Sequence, residues 1–207
     1  MSTAASSHVK ALIFGCSLKP SPSSSSTDKL ANELIAELNG HSVESELIRV
    51  ADYVVKPGVK TDMGDGDAWP QLRKKMLNAD IVIIATPTWA GQLSSIAMRV
   101  IERLDAELSQ TSDDGLPLVY GKVAGAVVVG NEDGAHHICA TIYQALNDYG
   151  FTIPAASATY WNGEAMHKTD YKDLESVPES TASATKQMAA NLAHTATLLK
   201  NQPYSAA

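Results

Sequence analysis

The 207-residue sequence repeats one local pattern five times: a short apolar run, then a stretch whose apolar residues recur at helical spacing. Val9, Ala11, Leu12, Ile13 and Phe14 open the series, followed by runs at 43–50, 81–86 (IVIIAT) and 122–130 (KVAGAVVVG). A short fifth strand begins the run 151–161 (FTIPAASATYW). Helical spacing appears at Leu30, Leu34, Ile35 and Leu38, then over 67–78 at Leu72, Met76 and Leu77. It returns at Ile96, Val100, Ile101, Leu104 and Leu108, and again at Ile138, Ile142, Ala145, Leu146 and Tyr149. A last helix, with Met188, Leu192 and Leu199 inward, starts after the capping-box pattern Ser176-x-x-Glu179 and carries Pro178 early. Strand–helix alternation admits few folds. Each helix is a crossover between parallel strands, so the chain must build a parallel sheet with helices on both faces. The near-continuous apolar runs fit strands buried on both sides, and the small residues of 122–130 fit a strand that a helix approaches closely.

In such a sheet, ligands bind beyond the carboxyl ends of the strands, at the switch point in strand order. Three loops with unusual chemistry leave those ends, at 16–27, 86–92 and 130–137. The first reads CSLKPSPSSSST. A helix N-terminus at its end offers free N–H groups and the positive end of the helix dipole to an anion. Ser17, Ser21, Ser23, Ser24, Ser25, Ser26 and Thr27 add hydroxyl donors, and Lys19 adds a positive charge. This is a phosphate cradle by residue chemistry. A Ser/Pro-rich segment also reads as a flexible linker, but a linker joins domains, and this one joins a strand to the helix that packs on it. It contains neither G-x-x-x-x-G-K-[ST] nor G-x-G-x-x-G, so it is not a P-loop or a standard dinucleotide fingerprint.

Length fits one α/β domain over 8–200 with fraying tails at 1–7 and 201–207, and a 44% hydrophobic content is ample for its core. A net charge of −7 speaks against a broad nucleic-acid-binding face. No stretch reads as a signal peptide or membrane span, and the two cysteines, Cys16 and Cys139, supply neither a disulfide framework nor a zinc pattern. A cytoplasmic protein is expected. The long polar connection 51–68 is a candidate rim of the site, and it and 109–121 are candidate subunit contacts. Asp62, Asp65 and Asp67 match a Ca²⁺ loop only in part, so a solvated loop is expected there; no metal site is expected at His136 and His137, which point apart on a helix.

Two motifs together resemble the flavodoxin-like FMN-dependent NAD(P)H reductases, a family of flavin and quinone reductases. Its first loop, G-S-x-R/K and then a Ser/Asn/Thr run, corresponds to Cys16-Ser17-Leu18-Lys19 with Ser25, Ser26 and Thr27. Its second, T/S-P-x-Y/W followed by small residues, corresponds to Thr86-Pro87-Thr88-Trp89-Ala90-Gly91-Gln92. Asn131, Glu132, Asp133 and Gly134 occupy the place of the third loop. The departures are Cys16 in place of Gly and a first loop lengthened by Pro20 and Pro22. The resemblance covers residues 8 to 200. It implies a five-stranded parallel sheet of order 2-1-3-4-5, FMN as cofactor, NADH or NADPH as reductant, a quinone or free flavin as acceptor, and a homodimer or homotetramer. It also implies that the flavin, rather than a side chain, carries the hydride chemistry. The residues fit: Trp89 suits a flavin face or edge, or else is an ordinary packing aromatic, while Asn131 and Gly134 either touch the ring or form a plain turn and helix cap.

A low-molecular-weight tyrosine phosphatase would have its nucleophile at Cys16 but needs an Arg where Pro22 stands, so Cys16 reads as a buried thiol. A response regulator needs acidic residues where Gly15, Cys16 and Thr86 stand. A flavodoxin-type single-electron carrier covers both ring faces with aromatics, and Gly130–His137 has none. An open flavin face and small-molecule substrates are therefore expected.

Overall fold

The structure, a computed structural model, describes residues 8–165 and 167–205. The expected tail 1–7 and the last two residues lie outside that range. Strands β1 (Val9–Gly15), β2 (Val43–Arg49), β3 (Ile81–Trp89), β5 (Val123–Gly130) and β6 (Ala158–Asn162) form a parallel ladder in the order β2-β1-β3-β5-β6. A two-residue strand, β4 (Gln92–Leu93), turns back antiparallel on β3. This is the flavodoxin-like winding expected, with β4 added.

Helices α1 (Ser26–Gly40) and α5 (Glu179–Asn201) pack on one face. Helices α2 (Trp69–Leu77), α3 (Ser95–Leu104) and α4 (Ala135–Tyr149) cover the other. Period-two alternation divides the core between them. Ala11 and Ile13 of β1 join Leu30 and Leu34 of α1, whereas Leu12 and Phe14 join Trp69 and Leu72 of α2. Both sets are buried, which is why β1 and β3 read as unbroken apolar runs. On β5, a Cβ at Gly125 would lie 2.6 Å from the Ser157 carbonyl oxygen and 2.7 Å from Met188 Cε of α5. Only glycine lets helix and sheet approach so closely here.

The fifth strand is not at Phe151 but at Ala158–Asn162. Thr152 starts pairing with β5, accepting a hydrogen bond from the Ala124 amide, but Pro154 has no N–H and the chain bends before Ser157 resumes the ladder by accepting from Ala126. Ser176 does not cap α5: the N-cap is Pro178, in extended conformation, with no side-chain hydrogen bond. Leu108 is exposed because α3 ends at Leu104 and tightens into a 3₁₀ turn over Asp105–Ser109, which rotates Leu108 off the apolar stripe.

In the 51–68 connection Asp62 and Asp65 are exposed, as a solvated loop would have them, but Asp67 is not. Asp67 accepts hydrogen bonds from the amides of Lys56 (3.2 Å), Met63 (2.9 Å) and Trp69 (3.2 Å), and its buried carboxylate pairs with Arg103 Nη1 at 2.8 Å. Arg103 is itself fully buried; it donates to the Lys56 and Lys60 carbonyls and stacks over the Trp69 ring. At the other end of the chain, Tyr204 packs edge-on against Tyr120 and shares a hydrogen bond with Thr152.

Candidate functional site

Because β1 lies between β2 and β3, the connections after β1 and β3 leave in opposite directions and open a crevice at the carboxyl edge. The first loop is anchored rather than floppy. The Ser21 amide and hydroxyl both donate to Asp52 at 2.7 Å, and Arg49 Nη1 donates to the Ser23 carbonyl at 2.6 Å. The Ser21 contacts hold the Asp52 carboxyl below its ordinary range. Arg49 also pairs with Asp28, which balances the acidic residue in the first turn of α1. Ser25 is the N-cap and accepts from the Asp28 amide at 3.2 Å; Ser26 accepts from the Lys172 amide at 3.2 Å. In both hydroxyls a lone pair is used and the proton remains free to donate.

The second loop is the tip of a hairpin. Ala90 (φ 51°) and Gly91 (φ 71°) are both left-handed, as the two-residue turn that joins β3 to β4 requires. Thr86 Oγ1 accepts from the Ser94 amide at 3.0 Å, and Ser94 Oγ donates to the Cys16 carbonyl at 2.7 Å, tying the hairpin to the first loop. The third loop locks onto the same tip. Glu132 Oε1 accepts from the Ala90 amide (2.8 Å) and His137 Nε2 shares a hydrogen bond with Gln92 Oε1 (3.0 Å). Gly134, at φ 141°, packs so close to Gly91 that a Cβ would meet its backbone at 2.8 Å.

Between the loops runs a cleft of about 540 Å³. Of the expected site residues it brings together Ser17, Lys19, Ser25, Ser26, Thr27, Pro87, Thr88, Trp89, Asn131 and Glu132. Ala90, Gly91, Gln92, Asp133 and Gly134 do not line it; they form the clasp that holds the second and third loops together. The 51–68 connection, the expected rim, does not line the cleft either; Arg103 and Arg99 fasten it to α3. Ser24, one of the cradle hydroxyls, also lines the cleft; sequence reasoning missed Leu18, Val129, Gly130, Ala165, Asp170 and Lys172. The last three belong to the connection after β6, which leaves the sheet at the same carboxyl edge; its position alone was signal enough.

The cleft is polar at one end and apolar at the other. Ser24, Ser25, Ser26, Thr27, Lys19 and Lys172 gather at the N-terminus of α1, and Leu18 and Trp89 stand at the mouth, Trp89 with 57% of its surface exposed. On the floor, Thr88 Oγ1 is buried with no partner among the described residues. Cys16 is fully buried, and burial with the nearby Asp28 charge pushes its thiol far up, so it is no nucleophile. His136 pairs with Tyr160 and His137 with Gln92. A smaller hollow of about 210 Å³ at the opposite edge of the sheet is lined by Lys10, Glu44, Glu46 and Lys75, which pair with one another.

These features fit a flavin mononucleotide. Its phosphate suits a helix N-terminus lined with hydroxyl donors and two lysines, and its planar ring suits the slot beside Pro87 and Trp89.

The profile of the family described as NADPH-dependent FMN reductase matches residues 9–166. The 8-demethyl-8-aminoriboflavin-5'-phosphate synthase of Streptomyces davaonensis is 32% identical over 207 residues, spanning 95% of this chain and 80% of that protein. The crystal structure of RosB with the bound intermediate 8-demethyl-8-formylriboflavin-5'-phosphate superposes with a TM-score of 0.85 at 32% identity, covering 95% of this chain and 82% of that one. A protein of Mycobacterium bovis named divalent metal cation transporter MntH is 36% identical over 199 residues, 93% of this chain, which spans 29% of that relative's length. Among the described residues, no helix is long and apolar enough to cross a membrane.

Proposed function

Because this chain belongs to the NADPH-dependent FMN reductase family, we propose that it holds FMN in the cleft and passes reducing equivalents from NADH or NADPH to a small acceptor such as a quinone or free flavin. FMN supplies the redox chemistry, and the protein binds it, orients it and leaves it accessible. The observation that carries this reading is the polarity of the cleft: a hydroxyl- and lysine-lined helix N-terminus at one end, an open mouth flanked by an exposed Trp89 at the other. Ser24, Ser26 and Thr27 donate to the phosphate together with the free amides of α1. The clasp of Glu132 and Gln92 on the hairpin and third loop keeps the ring slot at constant width. Among the described residues, Trp89 is the only aromatic side chain on the cleft lining, so one ring face stays free for a second molecule. Donor and acceptor then use the same place in turn. With NADPH and a quinone as substrates, steady-state kinetics should be ping-pong, each substrate in excess inhibiting competitively against the other. Convergent, intersecting kinetics would mean separate binding places. Trp89 provides a second readout. FMN should quench the protein's tryptophan fluorescence, and Trp89→Phe should remove most of that quenching while leaving stability within ~0.5 kcal/mol, as expected for a surface substitution. Quenching that persists in the variant would place the ring elsewhere.

A second reading has one specific observation in its favour. The named product of one relative and the bound intermediate of the other are riboflavin 5'-phosphates altered at position 8. In this reading the flavin phosphate is the substrate and leaves the cleft modified. Mass spectrometry of the flavin recovered after turnover separates the two: unchanged FMN supports the reductase, and an altered ring supports flavin modification.

A further inference from the structure

The connection after β6 contributes a charge cluster that the family match, ending at residue 166, does not reach. Tyr171 anchors it: the ring is buried, its hydroxyl binds Glu33, and its carbonyl accepts from Lys29 Nζ at 3.1 Å. The flanking residues Asp170 and Lys172 both line the cleft. The amide of Lys172 donates to Ser26 Oγ at the first turn of α1, so this side chain starts its reach at the helix N-terminus itself. Its ammonium lies 3.1 Å from Asp170 Oδ2 and also binds Asp173. Asp170 accepts from Asn131 Nδ2 at 3.0 Å and lies in the field of Lys19. The Lys172 contact, then Asn131 and Lys19, hold its carboxyl below the ordinary range against the opposing effect of burial. Asp170 thus sets a negative charge against Lys172 at the polar end of the cleft, within the field of Lys19.

We propose that Lys172 is a phosphate-binding residue for the flavin and that Asp170 is the resident counter-anion which the phosphate displaces. This rests on the reading of the cleft as an FMN site. A phosphate dianion entering beside an ionised Asp170 meets repulsion unless one anion gives way. The lysine–carboxylate pair is the part that yields: its side chains are 28% and 47% exposed, and an exposed pair of that kind contributes little. Phosphate carries the greater charge and in addition receives the hydroxyls and amides of α1, which Asp170 does not reach. Lys172 turns from Asp170 to the phosphate without moving its backbone, which Ser26 and the anchored Tyr171 keep in place. The exchange makes Lys172 the residue that separates FMN from riboflavin, and Asp170 a charge that raises the threshold for any weaker anion.

The test is fluorescence titration of FMN and of riboflavin against the full chain, in wild type, Lys172→Gln, Lys172→Arg and Asp170→Asn. Lys172→Gln should weaken FMN about tenfold or more, the loss of one contact to a charged group, and leave riboflavin unchanged. Lys172→Arg should keep most of the preference for FMN. Asp170→Asn should tighten FMN severalfold, with riboflavin again unchanged. Equal weakening of both flavins by Lys172→Gln overturns the assignment, because the residue then only holds the connection in shape. Weaker FMN binding in Asp170→Asn overturns the displacement. An FMN preference that survives Lys172→Gln refutes this inference alone, whereas a wild type that binds both flavins equally refutes the underlying phosphate reading.

Discussion

Replacing Ser24 and Ser26 by alanine and Thr27 by valine should weaken FMN at least about a hundredfold and leave riboflavin nearly unaffected. Each hydroxyl bond to a charged group contributes roughly 1.5–3 kcal/mol, and a tenfold change in affinity is about 1.4 kcal/mol, so losing two or three such bonds exceeds that threshold. Ser25 is deliberately kept. Its oxygen caps α1 by accepting from the Asp28 amide, and losing that cap costs about 1 kcal/mol of stability, which would obscure the binding effect. Valine at the buried Thr27 preserves volume, so the helix start keeps its packing. Calorimetric titration of both flavins checks the result. An equal loss for FMN and riboflavin would mean that these residues support the loop and not the phosphate.

A comparable effect, on stability instead of binding, is expected from Arg103→Met. The guanidinium is fully buried, pairs with Asp67, and satisfies the Lys56 and Lys60 carbonyls. Its removal leaves a buried carboxylate without its counter-charge and costs roughly 3–5 kcal/mol, a large share of the ~5–15 kcal/mol that holds a typical domain together. The urea midpoint should fall accordingly, while FMN affinity measured below the transition stays near wild type, since residues 53–68 do not line the cleft. The same pair sets a pH dependence. Burial pushes the Asp67 carboxyl up, but the Met63 amide, Arg103 and the Trp69 and Lys56 amides outweigh it and bring it below the ordinary value. A carboxyl lowered on folding stabilises fully above its unfolded pKa, and the contribution is lost as pH falls through the lowered folded value. The Asp67 contribution to wild-type stability should therefore begin to fade as pH falls through the usual carboxylate range and be gone below the lowered folded value, and Arg103→Met should shift acid unfolding to higher pH.

Much of this could be read from the sequence because the responsible forces are local. Unbroken apolar runs at β1 and β3 follow from burial on both faces, and the change of period after each run marks the crossover helices. The hydroxyls of the first loop and the helix they precede were legible from the sequence, and the structure gathers Ser24, Ser25, Ser26 and Thr27 on the cleft. What stayed hidden depends on long-range partners. Nothing near Asp67 shows that Arg103, far along the chain, will neutralise it, so an acidic stretch read as solvated. Nothing near Lys172 shows that its amide meets Ser26, at the other end of the chain. Ala90 and Gly91 read as ring contacts because the motif places them beside Trp89, yet their left-handed backbone makes them the turn that the third loop grips. The late start of β6 follows from Pro154, a local signal that was open to a closer reading.

Whether this cleft holds FMN for reduction by a nicotinamide is read from the visible absorbance of the FMN-loaded protein, mixed anaerobically with NADH or NADPH and then with a quinone, followed by mass analysis of the released flavin. At least one of the two nicotinamides should bleach the flavin, the quinone should restore the absorbance, and FMN should be recovered with unchanged mass. Absorbance that neither nicotinamide bleaches, or a flavin released with an altered ring, would mean that the cleft does not serve nicotinamide-driven reduction.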